Sequence, residues 1–307
     1  QPEKMNNLGI QDLAGLKLYK YFTSHIVLCI QSSKGCYWGK CSFCDSDFGV
    51  EHDGKSLDRL VMEIKYLRDK YNIRHYEFMD ESINPAYMKS MAERFIEEKL
   101  DIKWFSNGRL EEDFTPELLA LLQKSGLTMV LWGFESGNKR IMDLINKGIN
   151  VEKRYDILKA SSDCGIWNFA YIFFGFPTET KEEAIDTINA MCEHKDIIHS
   201  YGRSVFTLGK HSKLRDDAKK FGIVDIIEDN QELSTNLYYK STSGMTDKEV
   251  DSMIDLCIEK CKDAYGMPLW MYLKYRENLH LYIAKYGADY VKNYPTKKWY
   301  MQDLVVW

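Results

Sequence analysis

The stretch "RHYEFMDESINPAYMKSMAERFIEEKLDIKWFSNGRL", residues 74–110, switches hydrophobic period twice, and the order of the switches decides the fold. "RHYEFMD" (74–80) is short and rich in β-formers, so it reads as a strand. From Pro85 onward Met88, Met91, Ala92, Phe95 and Ile96 fall at helical spacing, with proline at the first helical position. "IKWFS" (102–106) then returns to strand. A strand–helix–strand unit of this length is a parallel crossover, which is right-handed in nearly all proteins.

The alternation extends both ways. Upstream, "HIVLCIQ" (25–31) is a strand, and "SLDRLVMEIKYLRDKYN" puts Leu57, Leu60, Val61, Ile64 and Leu67 on one helical face behind a Ser56 N-cap. Downstream, a helix opens at Thr115-Pro116 and closes at Gly126, before strand "TMVLWG" (128–133) and helical material from Asn138 through Leu158. Strand "NFAYIFFG" (168–175) follows, then a helix whose Thr180 and Glu183 have capping-box spacing, then strand "GRSVFTLG" (202–209). Six such strands predict an α/β fold: a partial (β/α)6 TIM-like barrel of parallel strands over residues 25–213. Residues 1–24 lack periodicity and read as an N-terminal linker. Beyond Leu214 the alternation stops, and "TDKEVDSMIDLCIEKCKDAYG" and "LWMYLKYRENLHLYIAKYG" predict an appended C-terminal helical region over 214–307.

With 45% hydrophobic and 28% charged residues, the chain of 307 has the composition of an ordinary globular protein. Its net charge of −5 supplies no general attraction to nucleic acid or acidic membranes. Apolar runs such as "IVLCI" are far too short to span a bilayer. No secretory signal opens "QPEKMNNLGI", and eight cysteines are too sparse for a disulfide scaffold, so a reducing cytoplasm is expected. A first residue of Gln1 rather than methionine suggests a piece removed upstream.

Three of the cysteines crowd into "KGCYWGKCSFCDSDFG" (34–49), where Cys36, Cys41 and Cys44 form a C-x4-C-x2-C pattern. A structural zinc ion wants four protein ligands. Cys29 and His52 are the nearest candidates for a fourth, and neither completes a zinc-ribbon spacing. An iron–sulfur cluster is the other soft-thiolate option, and three thiolates on a four-iron cube leave one iron open. The loop follows the first strand, at the barrel end where active sites of such folds sit. Cys257 and Cys261, one helical turn apart, are too few for a second cluster and read as small hydrophobes.

These residues resemble the radical S-adenosylmethionine (radical SAM) enzymes, whose usual motif is C-x3-C-x2-C with an aromatic before the last cysteine. Phe43 supplies the aromatic, and the first spacing is one residue longer. "YEFMDESIN", "WFSNGRLE", "GLTMVLWGFESGNKRIMDLINKG" and "YIFFGFPTETKEEAIDTI" resemble the family's second to fifth strand units in order, over about 25–215. "LAGLKLYKYF" with "GCYWGKCSFCD" looks like the linker and cluster loop of the branch that carries an N-terminal cobalamin-binding domain. Residues 1–24 are too short for such a domain, so it either precedes Gln1 or is lacking.

The resemblance implies a [4Fe-4S] cluster on Cys36, Cys41 and Cys44, with S-adenosylmethionine chelated at the open iron. Reductive cleavage would give a 5′-deoxyadenosyl radical that abstracts hydrogen from substrate. It further implies cobalamin-dependent C-methylation of a peptide or natural product, and an electron donor such as flavodoxin or ferredoxin. A methylthiotransferase-like or ring-forming activity is the alternative enzyme; a zinc-binding interaction module is the non-enzyme alternative. Among site residues, Asp80 and Glu81 would meet the cofactor's ammonium, or else form a solvated loop or helix cap. Asn107 and Arg109 end the third strand, where Arg109 could pair a carboxylate or a surface acid. Glu135 corresponds to a position near the ribose, against the alternative of a helix cap. Lys147 corresponds to one near the cofactor's carboxylate, against an ordinary last-turn cation. Tyr171 corresponds to a cofactor contact of the fifth strand, against plain core packing.

Overall fold

The computed structural model describes residues 3–45, 51–227, 236–266, 268–271 and 275–294. Strand β1 (Val27–Ile30) leads into a short antiparallel pair, β2 (Ser33–Lys34) and β3 (Asp53–Gly54), whose connection carries the cysteine loop. Helix α1 (Leu57–Tyr71) starts where the Ser56 side chain accepts from the Arg59 N–H and stops at left-handed Asn72. Strand β4 (His75–Phe78), helix α2 (Pro85–Glu97) capped by Asn84, and strand β5 (Lys103–Gly108) complete the unit read from residues 74–110. Next come α3 (Pro116–Lys124) capped by Thr115, β6 (Leu127–Glu135), α4 (Lys139–Ile145), α5 (Arg154–Asp163) and β7 (Trp167–Phe174). Helix α6 (Lys181–Glu193) opens with the Thr180–Glu183 capping box, and β8 (Ser200–Val205) is the last parallel strand.

The six long strands form one sheet in the order β1-β4-β5-β6-β7-β8, every pair parallel. Sequential neighbours in space with a helix between each are what repeated right-handed crossovers produce. Alternate side chains point to opposite faces. One face, with Tyr76, Trp104, Val130, Trp132 and Ala170, packs beneath the crossover helices. On the other face Phe105, Met129, Leu131 and Trp167 pack against Leu279, Ile283, Ala288 and Val291.

The rest of the chain departs from the expected helical region. After β9 (Leu208–Gly209) and the short α7 (Lys213–Asp216), β10 (Ile223–Ile227) and β11 (Asn236–Ser241) pair antiparallel, and β11 also pairs with β9. "IVDII" and "NLYYKS" are β-rich, and pairing lets Ile223 and Leu237 bury beside Phe176 and Phe206. Helices α8 (Asp247–Tyr265), α9 (Arg276–Tyr286) and α10 (Ala288–Lys292) follow; α8 covers the outer face, whereas α9 and α10 plug the inner face near the strand starts.

Three smaller features add detail to the expectations. The helical material expected from Asn138 through Leu158 is divided into two helices, because Asn146 and Gly148 adopt left-handed backbone (φ 54° and 69°). The sixth strand leaves the sheet at Phe206, and Leu208–Gly209 belong to the antiparallel sheet. The linker is docked: Met5 and Leu13 are buried, and the Met5 N–H donates to Asp53 at 2.6 Å.

Candidate active site

As the chain leaves β1, four donors converge on the fully buried Asp80 carboxylate. The Ser32 N–H and hydroxyl donate at 3.0 and 2.8 Å, the Ser33 hydroxyl at 2.6 Å, and the Ser33 N–H also donates. Burial pushes the Asp80 carboxyl up, and these hydrogen bonds oppose the push. The Asp80 carbonyl accepts from Asn107 Nδ2 at 2.8 Å. With its carboxylate so engaged, Asp80 is a positioning residue that ties the root of the cysteine loop to the ends of β4 and β5.

The loop itself is held from three sides. Tyr37 donates to Glu111 Oε1 at 2.7 Å, and the same oxygen meets Arg109 Nη1 at 2.5 Å. Burial foremost, then Glu111, pushes the Tyr37 hydroxyl above its ordinary range. The Arg109 guanidinium stands 4.3 Å from the Trp38 ring, and that ring lies against Gly148, where any Cβ would overlap it. The end of α4 leaves carbonyls without intrahelical partners, and the loop supplies donors for them. Trp38 Nε1 donates to the Asn146 carbonyl at 3.1 Å, the Ser42 hydroxyl to Leu144 at 2.8 Å and the Ser42 N–H to Ile145 at 2.9 Å. Phe43 packs on Phe173 with ring centroids 5.4 Å apart. Cys36, Cys41 and Cys44 are therefore carried on a stitched loop beside the C-terminal ends of β5, β6 and β7. All three are partly exposed, and none is in a disulfide.

Beside the loop lies a buried ion pair. Lys147 Nζ contacts Glu135 Oε1 at 2.5 Å, with the two residues 7% and 8% exposed. Glu135 ends β6 after an irregularity in its pairing with β7, and its φ of 63° is a left-handed conformation that costs a non-glycine residue about 1–3 kcal/mol. Gly133 makes room, since a Cβ there would strike Lys147 and Glu135. Burial works against the Lys147 charge, but Glu135 and Cys41 hold its pKa above the ordinary value. Burial pushes the Cys41 thiol up to about 11, while Lys147 and Arg109 pull it down. Three soft thiols beside two cations are a donor set suited to an anionic iron–sulfur cluster. Among the described residues, no three Cys, His, Asp or Glu side chains converge on one ion position. A four-iron cube takes each thiolate on a different iron and imposes no such convergence.

The sequence-derived residues sort as follows. Arg109, Glu135 and Lys147 come together with the cysteine loop, and Asn107 and Asp80 brace it. Glu135 is not a helix cap, because Asn138 accepts from the Arg140 and Ile141 N–H groups in that role. Arg109 is 4% exposed, so its partner Glu111 is not a surface acid pair. Glu81 is exposed. Tyr171 is half-buried on the inner face, paired in register with Gly133, with the Arg276 guanidinium 5.7 Å from its ring. Sequence reasoning missed Ser32, Ser33 and Ser42, whose partners are distant in the chain, and Glu111, which joins its near neighbour Arg109 to the distant Tyr37; only the Ser-Ser dipeptide at a strand end hinted at a polar clamp.

The profile of the Radical SAM superfamily matches residues 30–191, more than half of the chain. Over 163 residues the chain is 31% identical to the "Uncharacterized methyltransferase PH0819" of Pyrococcus horikoshii, a match covering 52% of this chain and 35% of that protein. Over 173 residues it is 26% identical to the bacteriochlorophyllide d C-12(1)-methyltransferase of Chlorobaculum tepidum, covering 54% of this chain and 37% of the relative. The matched region thus spans little more than a third of either relative's length. Among solved structures, the radical S-adenosylmethionine methyltransferase TsrM from Kitasatospora setae, with cobalamin and a [4Fe-4S] cluster bound, shares the fold. Its TM-score is 0.62 at 16% identity, covering 75% of this chain and 52% of TsrM. On this match and this fold, the chain belongs to the radical SAM superfamily of enzymes.

Proposed function

We propose that this chain is the catalytic core of a cobalamin-dependent radical SAM methyltransferase acting on a peptide or other natural product. The observation that carries the reading is the three-cysteine loop stitched beside the buried Lys147–Glu135 pair at the strand ends. Cys36, Cys41 and Cys44 would hold a [4Fe-4S] cluster, residues 25–213 would form the core, and residues 1–24 would lead into it. When bound with S-adenosylmethionine, such a cluster supplies the electron that cleaves the cofactor to methionine and a 5′-deoxyadenosyl radical. Around it, this chain's residues bind, orient and exclude water. Lys147 offsets thiolate charge and the cofactor's carboxylate. Glu135 has its Oε2 without a hydrogen bond among the described residues, and a ribose hydroxyl would donate to it. Trp38, clamped by Arg109, and Phe43 shield the loop from solvent. Cobalamin and methyl transfer enter from the names of the relatives, and no residue here is assigned to cobalamin. The reductant would be a flavodoxin- or ferredoxin-class partner. No helix among the described residues is long and apolar enough to cross a membrane.

The test is anaerobic reconstitution with iron and sulfide, followed by S-adenosylmethionine, a strong reductant and hydroxocobalamin. About four irons per chain and release of methionine with 5′-deoxyadenosine support the reading. About one zinc in place of iron, or S-adenosylhomocysteine as sole product, would replace it with a zinc module or with polar methyl transfer.

A further inference from the structure

Away from the cysteine loop, a cavity of about 490 Å³ opens along the edge of β8, between that strand, α8 and the start of α9. β8 pairs only with β7 among the described residues, so this is an open side of the sheet. The lining carries three cations, Arg203, Lys262 and Arg276, and no acidic residue. Arg203 and Lys262 make no ion pair among the described residues. Among the described residues Arg276 reaches only Glu77, at 3.9 Å, the outer limit of an ion pair.

Flat apolar surface lies between these charges. Tyr171 carries Arg276 on its ring at 5.7 Å, and Tyr201 meets Trp270 edge-on at 5.5 Å. Trp270 adds a second, independent feature: its Nε1 is buried with no acceptor among the described residues. An indole N–H left without a partner loses hydrogen bonding that a ligand acceptor would restore. Cations without acids attract a carboxylate or phosphate, and the rings between them favour a planar apolar body.

We propose that this pocket binds the substrate of the reaction inferred above, and that the substrate is a planar organic anion. Its acidic group lies among Arg203, Lys262 and Arg276 and accepts from Trp270 Nε1, and its ring system lies along Tyr171 and Tyr201. This rests on the functional reading for the word substrate, but the binding site stands on its own residues. Tyr171 pairs in register with Gly133, two residues before Glu135, so one wall of this pocket stands on the strand next to the ion pair of the candidate site.

The test uses the full iron-loaded chain and three probes of one shape, 2-naphthoate, 2-naphthyl phosphate and the neutral 2-naphthamide, titrated by calorimetry. Either anion should bind about tenfold or more tightly than the amide, and the better of the two identifies the acidic group. Arg276→Gln and Arg203→Gln should each remove most of that discrimination, and Trp270→Phe should weaken the anions with the melting temperature unchanged. Lys262→Gln, on an exposed position, serves as the variant least able to disturb folding. Equal affinity for anion and amide, or discrimination that survives the double arginine variant, overturns the proposal. Cofactor cleavage with no anion preference would break this inference alone, and anion preference with no cleavage would break the functional reading alone.

Discussion

At the C-terminal ends of the strands the protein buries charge; at the N-terminal ends it buries neutral polar groups. Lys147 meets Glu135 and Arg109 meets Glu111 at 2.5 Å each beside the cysteine loop. At the opposite end, His280 of α9 lies 2.7 Å from Thr128 Oγ1 and 3.1 Å from His75 Nδ1, under Phe105. Burial, then the charges of His75 and Lys103, lowers the pKa of His280 to about 3; burial, then His25 and Lys103, lowers that of His75 to about 4. Two buried ion pairs seldom improve on apolar packing for stability. A third buried pair, Lys55 with Glu63 at 2.5 Å, lies beside α1 away from the thiols; what sets the two pairs at the loop apart is the three cysteines they adjoin, which points to a charged occupant there, while the plugged end is organised for cohesion.

The largest effect expected concerns that occupant. Replacing Cys36, Cys41 or Cys44 by alanine should leave almost no iron after anaerobic reconstitution. Cys257→Ala and Cys261→Ala, in the apolar packing of α8, should load as fully as the unaltered chain. Loss of iron in a folded Cys257 variant would remove the distinction between the two cysteine groups.

Next in size is the ion pair. Lys147→Met leaves Glu135 buried without its partner and should cost about 3–5 kcal/mol in urea unfolding. Adding Glu135→Leu should restore part of that loss. If the two costs simply add, the pair is not coupled and the charged end has no special electrostatic character.

The plugged end should respond to acid instead. Both histidines have folded pKa values below an unfolded value of about 6.5, so the unfolded chain takes up protons first as pH falls. Their stability is intact above about pH 6.5 and is lost as pH drops toward 4, by ~2 kcal/mol at pH 5 for His280 and by less for the partly exposed His75, whose charge solvent screens. Melting curves at pH 7.5 and 5.0 should therefore separate more in the unaltered chain than in His280→Gln. Identical separation would mean that His280 does not titrate as its burial dictates.

The smallest effect belongs to a place at neither end's centre. Thr180→Ala removes the capping box of α6 and should cost ~1 kcal/mol with iron loading unchanged. A change in iron content there would mean that the helix cap and the cysteine loop are coupled, and the two ends less independent than their contacts suggest.

Much of this was legible in the chain because it is local. Ser56 capping Arg59, Pro85 opening α2, and Thr180 with Glu183 opening α6 each depend on residues within one turn. The six-strand alternation is likewise written in period changes along the sequence. The cysteine spacing also stands in the sequence, since three thiols within nine positions restrict the chemistry before any fold is known. By contrast, β10 and β11 fall within the region expected to be helical, because so small an antiparallel sheet becomes stable only when Phe176 and Phe206 give it a surface to cover.

The sequence by itself determined the alternation of strands and helices, their caps, and the thiol set. Only the tertiary structure decided that Asp80 clamps Ser32 and Ser33, that Gly148 admits Trp38, and that Lys147 pairs with Glu135. It also decided that α9 enters the sheet's inner face with His280. Each of these joins groups far apart in the chain or selects one partner among several chemically equal ones. Local propensity carries no information about such choices; they follow from which surfaces the completed sheet brings within a few ångströms of one another.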